Sequence, residues 1–239
     1  MMKHYILMGA GSSIARRFMS RLDQSYKVTA MTRDPSLINI SDYECNLHVA
    51  EINPHNFEEV SDCVAETSDS QHIDGVVNFC GSIVLKPMHL TSYALFKETI
   101  DINLMTSFNL AHAVTTYIKK NCHLIFFSTS AAHIGLPNHE AITAAKSAVE
   151  GLAKSLAASY AKSNLRCNVI APGLIETPLS EKIVSSEKAR SVSQAMHGLS
   201  RLGKPEDIAS LLFWMLSDEC QWMTGDVIRL DGGLSTVKC

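Results

Sequence analysis

Seven short apolar runs, separated by longer stretches with the spacing of helices, limit what this chain can fold into more than any other feature. The runs fall at about 4–8, 26–31, 47–52, 73–79, 123–128, 166–171 and 226–230. They are continuously apolar rather than alternating, which is the pattern of parallel strands covered on both faces. Helical patterns lie near 13–23, 55–67, 91–119, 138–162 and 205–217. This alternation predicts an α/β fold, a Rossmann-type doubly wound parallel sheet with helices on both faces. Between Arg33 and Leu47 the sequence is broken by Pro35 and by Ile40-Ser41-Asp42-Tyr43, so that crossover is expected to lack a full helix.

With 239 residues, 46% of them hydrophobic, the chain can bury one substantial core, and a single domain over 1–239 is expected. No Pro/Gly/Ser-rich linker divides it. One long irregular stretch, about 173–203, opens with Pro172-Gly173 and closes before Gly203-Lys204-Pro205, the placement of a lid over a substrate site. Net charge is −3 and no Lys/Arg run exceeds two residues, which argues against nucleic-acid or anionic-membrane partners. The first residues are too short and too interrupted for a signal peptide, and no apolar run reaches the roughly 18 residues of a membrane span, so a cytoplasmic location is expected. Seven cysteines, an odd number without a C-x-x-C pair, argue against a disulfide framework and a zinc site. The histidines lack ligand spacing, and no metal is expected.

The first strand ends in Met8-Gly9-Ala10-Gly11-Ser12-Ser13-Ile14-Ala15, a glycine-containing turn into a helix whose free N–H groups suit a pyrophosphate. Further along come Asn78-Phe79-Cys80-Gly81, Asp101-Ile102-Asn103-Leu104, Ser128-Thr129-Ser130, Lys146, and Asn168-Val169-Ile170-Ala171-Pro172-Gly173-Leu174-Ile175-Glu176-Thr177. Arg201-Leu202-Gly203-Lys204-Pro205-Glu206-Asp207 and Leu230-Asp231-Gly232-Gly233 close the series. In order and spacing these segments resemble the short-chain dehydrogenase/reductase family across nearly the whole chain. The resemblance implies a nicotinamide dinucleotide held by Gly9, Gly11, Ser12, Ser13, Ile14, Thr32, Arg33, Asn78, Cys80, Gly81, Lys146, Pro172, Gly173, Ile175 and Thr177. It also implies packing across a two-fold axis in homodimers or homotetramers. The small residues Ala144, Ala145, Ala148, Ala153, Ala157 and Ala158 would allow that close approach, and they suit ordinary core packing equally well.

The active-site segment departs from the family. Its usual Tyr-x-x-x-Lys would place a phenol four residues before Lys146, where this chain has Ile142. The context Pro137-Asn138-His139 is similar to the enoyl-acyl carrier protein reductase branch, with His139 in that branch's tyrosine position and Ile142 in its methionine position. Residues seven apart on a helix differ by about 20° in azimuth, so His139 and Lys146 can share a face about 10 Å apart along the axis. Lys146 would then hold the nicotinamide ribose, as the resemblance implies, and His139 would donate or relay a proton. The alternative is a solvated first-turn histidine beside an Asn138 cap.

Thr129 aligns with the family's catalytic serine, while Ser128 and Ser130 would face away if the strand continues that far. Asn103 fits the family's helical bulge and water relay, or else bonds only neighbouring backbone. At the end of the second strand, Met31-Thr32-Arg33-Asp34, Thr32 and Arg33 point to NADP(H) over NAD(H), against which Asp34 weighs. Ile83, Leu136, Ile142, Leu174, Ile175 and Met196 suggest a small-molecule or acyl substrate with an apolar part. Two functions fit: an oxidoreductase acting at C=O or activated C=C, or an NADP(H)-binding protein of this fold without turnover.

Overall fold

The computed structural model describes residues 2–70, 72–118 and 120–238. Seven parallel strands form one sheet: β1 (Lys3–Met8), β2 (Tyr26–Thr32), β3 (Asn46–Glu51), β4 (Gly75–Asn78), β5 (Cys122–Phe127), β6 (Leu165–Pro172) and β7 (Val227–Leu230). Their order across the sheet is β3-β2-β1-β4-β5-β6-β7. The chain winds outward in one direction from β1 to β3, then returns to the centre and winds the other way from β4. The doubly wound expectation is therefore met, with all seven strands within two residues of their expected limits.

Why the runs are continuously apolar is plain from β1. Tyr5 and Leu7 belong to the core on one side of the sheet with Phe18, Ile208 and Leu212, while Ile6 and Met8 belong to the other with Val60, Leu110 and Val149. Helices α1 (Ser13–Met19) and α7 (Pro205–Met215) cover the first side. The second is covered by α2 (Phe57–Ser70), α4 (Thr106–Tyr117) and α5 (Glu140–Tyr160). Each large side chain so enclosed contributes about 1.5–3 kcal/mol.

Three local expectations need correction or refinement. The helical pattern at 91–119 divides into α3 (Tyr93–Ile100), a π-helical turn (Asp101–Met105) and α4; its expected last residue, Lys119, lies outside the described residues. The segment 173–203 is not irregular throughout, since it contains a 3-10 turn (Pro178–Ser180) and α6 (Glu187–Ala195), started by the Ser186 side chain accepting from Ala189 N. Finally, Asn138 is not a cap: it is left-handed (φ 65°), and His139 occupies the N-cap position of α5 without a side-chain capping bond. The broken 33–47 crossover holds two 3-10 turns, as its sequence suggests. Cysteines 45, 63, 80, 122, 167 and 220 are free thiols; Cys239 lies outside the described residues.

Candidate active site

Two cavities of about 260 and 310 Å³ open at the carboxyl ends of the strands. Phe79, Cys80 and Gly81, which follow β4, line both and join them into one crevice. It sits where strand order reverses between β1 and β4, the position at which open α/β sheets take ligands.

Gly9, Gly11, Ser12, Thr32 and Arg33 line one end. Gly9 has φ +77°, and a Cβ there would lie 3.0 Å from Cys80 N, so the β1 turn needs glycine both for its conformation and for the close approach of the β4 loop. Beyond β2, the Asp34 carboxylate accepts from Ser36 N at 3.0 Å and Ser36 Oγ at 2.5 Å, which holds it in its own turn. Arg33 is exposed and has no ion-pair partner among the described residues. The one charged side chain in this corner not committed to a neighbour is thus cationic. Ser13 and Asn78 line neither cavity. Asn78 is buried, donates to Ser107 Oγ at 3.0 Å and Thr106 Oγ1 at 3.2 Å, and accepts from Cys80 N at 2.9 Å. These bonds shape the β4 loop.

At the other end Lys146, Thr129, His139, Asn103, Ile14, Pro172, Gly173, Ile175 and Thr177 all line the cavity of about 260 Å³. Lys146 projects from α5 and its Nζ donates to Phe127 O at 2.9 Å. Burial lowers its ammonium to about 8, an effect the Cys80 thiol partly opposes. Cys80 is itself pushed up to about 12 by burial, so it lines the wall as a neutral thiol. A Cβ on Gly81 would lie 3.2 Å from Asn103 Oδ1 and 3.5 Å from Lys146 Nζ, and the bare glycine keeps that approach open.

β5 ends at Phe127, so strand alternation does not reach the following residues and Ser128 lines the cavity beside Thr129, contrary to expectation. The two hydroxyls differ in what they have left to offer. Ser128 Oγ donates to Glu150 Oε1 at 2.5 Å, and His133 Nε2 reaches the same oxygen at 3.1 Å, which ties the loop to α5. Thr129 Oγ1 accepts from Ala131 N at 3.3 Å, and its proton remains to be donated. Ser130 Oγ donates to Ala171 O, away from the cavity.

Asn103 sits in the π-helical turn, fully buried. Its amide donates to Ser82 Oγ and Thr99 O and accepts from Ser82 N. Both amide protons are committed to protein, so its side chain anchors the β4 loop and has no proton to offer a water. His139 Nδ1 lies 2.8 Å from Pro137 O. A carbonyl only accepts, so Nδ1 carries the hydrogen, and Nε2 has no partner among the described residues.

The six expected apolar residues all line this cavity, joined by Leu85, Leu179, Ile183 and Leu234. Sequence reasoning missed His197, a buried wall residue just past α6. Its Nδ1 bonds Ser193 O at 2.8 Å and its Nε2 accepts from Leu174 N at 3.2 Å, joining α6 to the segment after β6. A lone histidine in a polar stretch carries no signal of such a role.

Residues 9–235 match the family described as enoyl-(acyl carrier protein) reductase. The peroxisomal 2,4-dienoyl-CoA reductase of Saccharomyces cerevisiae is 31% identical over 233 residues, which is 96% of this chain and 77% of the yeast protein. The chain belongs to the short-chain dehydrogenase/reductase family. The 3-oxoacyl-(acyl-carrier-protein) reductase of Thermotoga maritima is 38% identical over 137 residues, 56% of this chain and 55% of that reductase. Among solved structures, the ligand-free aldohexose dehydrogenase of Thermoplasma acidophilum, 29% identical, superposes with a TM-score of 0.87, covering 99% of this chain and 95% of that one. These short-chain dehydrogenase/reductase relatives are oxidoreductases, and the family's cofactor is a nicotinamide dinucleotide. The crevice fits such a group: two glycines leave backbone room at one end and a buried ammonium stands at the other.

Proposed function

We propose that this chain is an NADP(H)-dependent oxidoreductase acting at a C=O, or an activated C=C, of a small or acyl substrate with an apolar part. The observation that carries this reading is the continuity of the crevice from the Arg33 corner to Lys146, Thr129 and His139. Gly9, Gly11, Ser12, Ile14, Cys80 and Gly81 would cradle the dinucleotide, with Pro172, Gly173, Ile175 and Thr177 along the nicotinamide side. Arg33 would meet the 2′-phosphate that distinguishes NADP from NAD, since Asp34 is held in its turn. Lys146 would donate to ribose hydroxyls. The bound cofactor supplies hydride or accepts it. Thr129 would donate to the substrate oxygen, and His139, in place of a phenol at position 142, would carry the proton. A homodimer or homotetramer in the cytoplasm completes the proposal, with the exposed Ala144, Ala148 and Ala158 of α5 as the meeting face.

A second reading, NADP(H) binding without turnover, has one observation in its favour: Ile142, four residues before Lys146, is buried and apolar. Calorimetry with NADPH and NADH, paired with cofactor turnover over a panel of ketones, secondary alcohols, ketoacyl and enoyl thioesters, separates the two. The first reading expects tighter NADPH binding and turnover of at least one class; binding without turnover of any would favour the second.

A further inference from the structure

We propose that the amino-terminal pole of the sheet holds a second binding site, for a small zwitterion of the α-amino acid class, whose carboxylate pairs with Arg166 and whose ammonium pairs with Asp74. It is separate from the crevice and does not depend on the oxidoreductase reading.

A cavity of about 240 Å³ opens at this pole, with Lys3, Asp74, Cys122, His123, Arg166 and Asp218 among its walls. Lys3 begins β1, Cys122 and His123 begin β5, Arg166 is the second residue of β6, and Asp74 immediately precedes β4. Four adjacent strands, in the order β1-β4-β5-β6, therefore frame the cavity, and the hydrogen-bonded sheet sets its shape. It shares no lining residue with the two cavities of the crevice. Apart from Cys122 and Leu216, every lining side chain is polar or charged. Apolar substrates gain nothing there, and the volume falls below the roughly 300–1,000 Å³ of ordinary ligand pockets, which leaves small polar molecules.

The charges select among them. Lys3 Nζ and Asp218 Oδ1 close an ion pair at 2.6 Å. Arg166 donates from Nη1 to Met223 O at 3.2 Å and has no carboxylate partner among the described residues, so most of its guanidinium fork is unspent. Asp74 is fixed by three bonds: its N–H donates to His4 O, its C=O accepts from His123 N, and its Oδ2 accepts from His4 N at 2.8 Å. Its Oδ1 has the His72 ring at 3.8 Å, beyond hydrogen-bonding reach. One guanidinium and one carboxylate thus face the same cavity without pairing with each other. Both act on the Cys122 thiol of the intervening strand, which is raised by burial and by Asp74 and lowered by Arg166.

A planar carboxylate matches the guanidinium fork in two parallel bonds, and an ammonium supplies the donor that Asp74 Oδ1 lacks. A simple anion such as phosphate would satisfy Arg166 but meet Asp74 as a like charge. A molecule that carries both charges a few bonds apart satisfies both walls.

Saturation-transfer NMR of the full-length protein with a mixture of the standard amino acids at millimolar concentration identifies the ligand, and nitrogen-15 shift mapping locates it. The expected result is transfer to at least one amino acid, with shifts at Asp74, Cys122, His123 and Arg166. The matching acid without the amino group, and the matching amine without the carboxyl group, should each bind at least about 10-fold more weakly. Asp74→Asn keeps the acceptor for His4 N and should weaken the amino acid while leaving the deaminated acid bound no less tightly. Arg166→Gln should weaken both, with urea midpoints showing that each variant is folded; Asp74→Asn decides the matter if Arg166→Gln does not fold. Transfer to none of the amino acids, shifts confined to the crevice, or an affinity indifferent to Asp74→Asn overturns the proposal. Inorganic phosphate bound more tightly than every amino acid marks an anion site and overturns it equally.

Discussion

Lys146 shows how one buried charge can be the most sensitive point of a site. Its ammonium is held at about 8 because burial disfavours the charged form, and one of its protons is already committed to Phe127 O. The remaining protons are available to ribose hydroxyls, so Lys146→Ala should weaken NADP(H) binding by about 1.5–3 kcal/mol in calorimetry. In the wild type, affinity should fall as pH rises through about 8, because the ammonium is then lost; flat affinity from pH 7 to 9 would contradict the assignment. Arg33 supports a separate prediction. With Asp34 occupied by Ser36, reversing the sole uncommitted charge in that corner should invert cofactor choice, and competitive titration of Arg33→Glu should show NADH bound more tightly than NADPH. A variant that kept an NADP preference would exclude Arg33 as the discriminator. At this scale the sequence made the residue types readable but not their commitments. Arg33 and Asp34 pulled toward opposite cofactors, with NADP(H) favoured, and the turn at Ser36 adds that the Asp34 carboxylate is engaged by a neighbour. Asn103 was legible as a polar residue in an apolar helix, and its bond to Thr99 O one turn back is the neighbouring-backbone bond such a residue can make, yet its two bonds to Ser82 come from a loop that no local pattern connects to it.

Elements were legible in proportion to how much apolar surface they bury. The strands and α1, α2, α4, α5 and α7 all carry apolar residues on the faces they bury, and their positions could be read from spacing. Helix α6 buries none of its residues; its sequence, Glu187-Lys188-Ala189-Arg190-Ser191-Val192-Ser193, has no apolar stripe, and a Ser186 cap was the one signal available. The same polarity determines how it is held. Among the described residues it is tied to the segment after β6 by the Arg190–Glu176 ion pair and through His197, which bridges Ser193 O and Leu174 N. A segment fixed by a few polar contacts opens at low cost. His197→Ala removes a hydrogen bond worth about 0.5–1.5 kcal/mol, so amides of residues 187–197 should exchange about 2- to 10-fold faster by mass spectrometry, with those of β5 and β6 unchanged. Equal exchange in α6 would mean that His197 does not hold this helix.

For the whole molecule, the sheet that positions the crevice carries its own pH limit. His4 in β1 and His123 in β5 are buried and neutral, lowered by burial to about 4 and about 3 from the ordinary 6.5. Below pH 6.5 the unfolded chain takes up protons at these positions and the folded chain does not. Their contribution is therefore complete above about 6.5 and is lost progressively as pH falls toward 4 and 3. Urea midpoints should drop from pH 7.5 to 5.5 and again to 4.5, and a constant midpoint would contradict the burial of both rings. Above that limit the fold brings the stretches of chain after β1, β2, β4, β5 and β6 to one crevice, and the claim that hydride moves there is the one most worth testing. Incubation of the protein with NADP+ and a mixture of apolar secondary alcohols deuterated at the carbinol carbon, followed by mass spectrometry of the cofactor, reads that transfer whichever alcohol reacts. The account predicts deuterated NADPH, formed by the wild type and greatly reduced in His139→Gln. Cofactor that is bound in calorimetry yet recovered without label would contradict it.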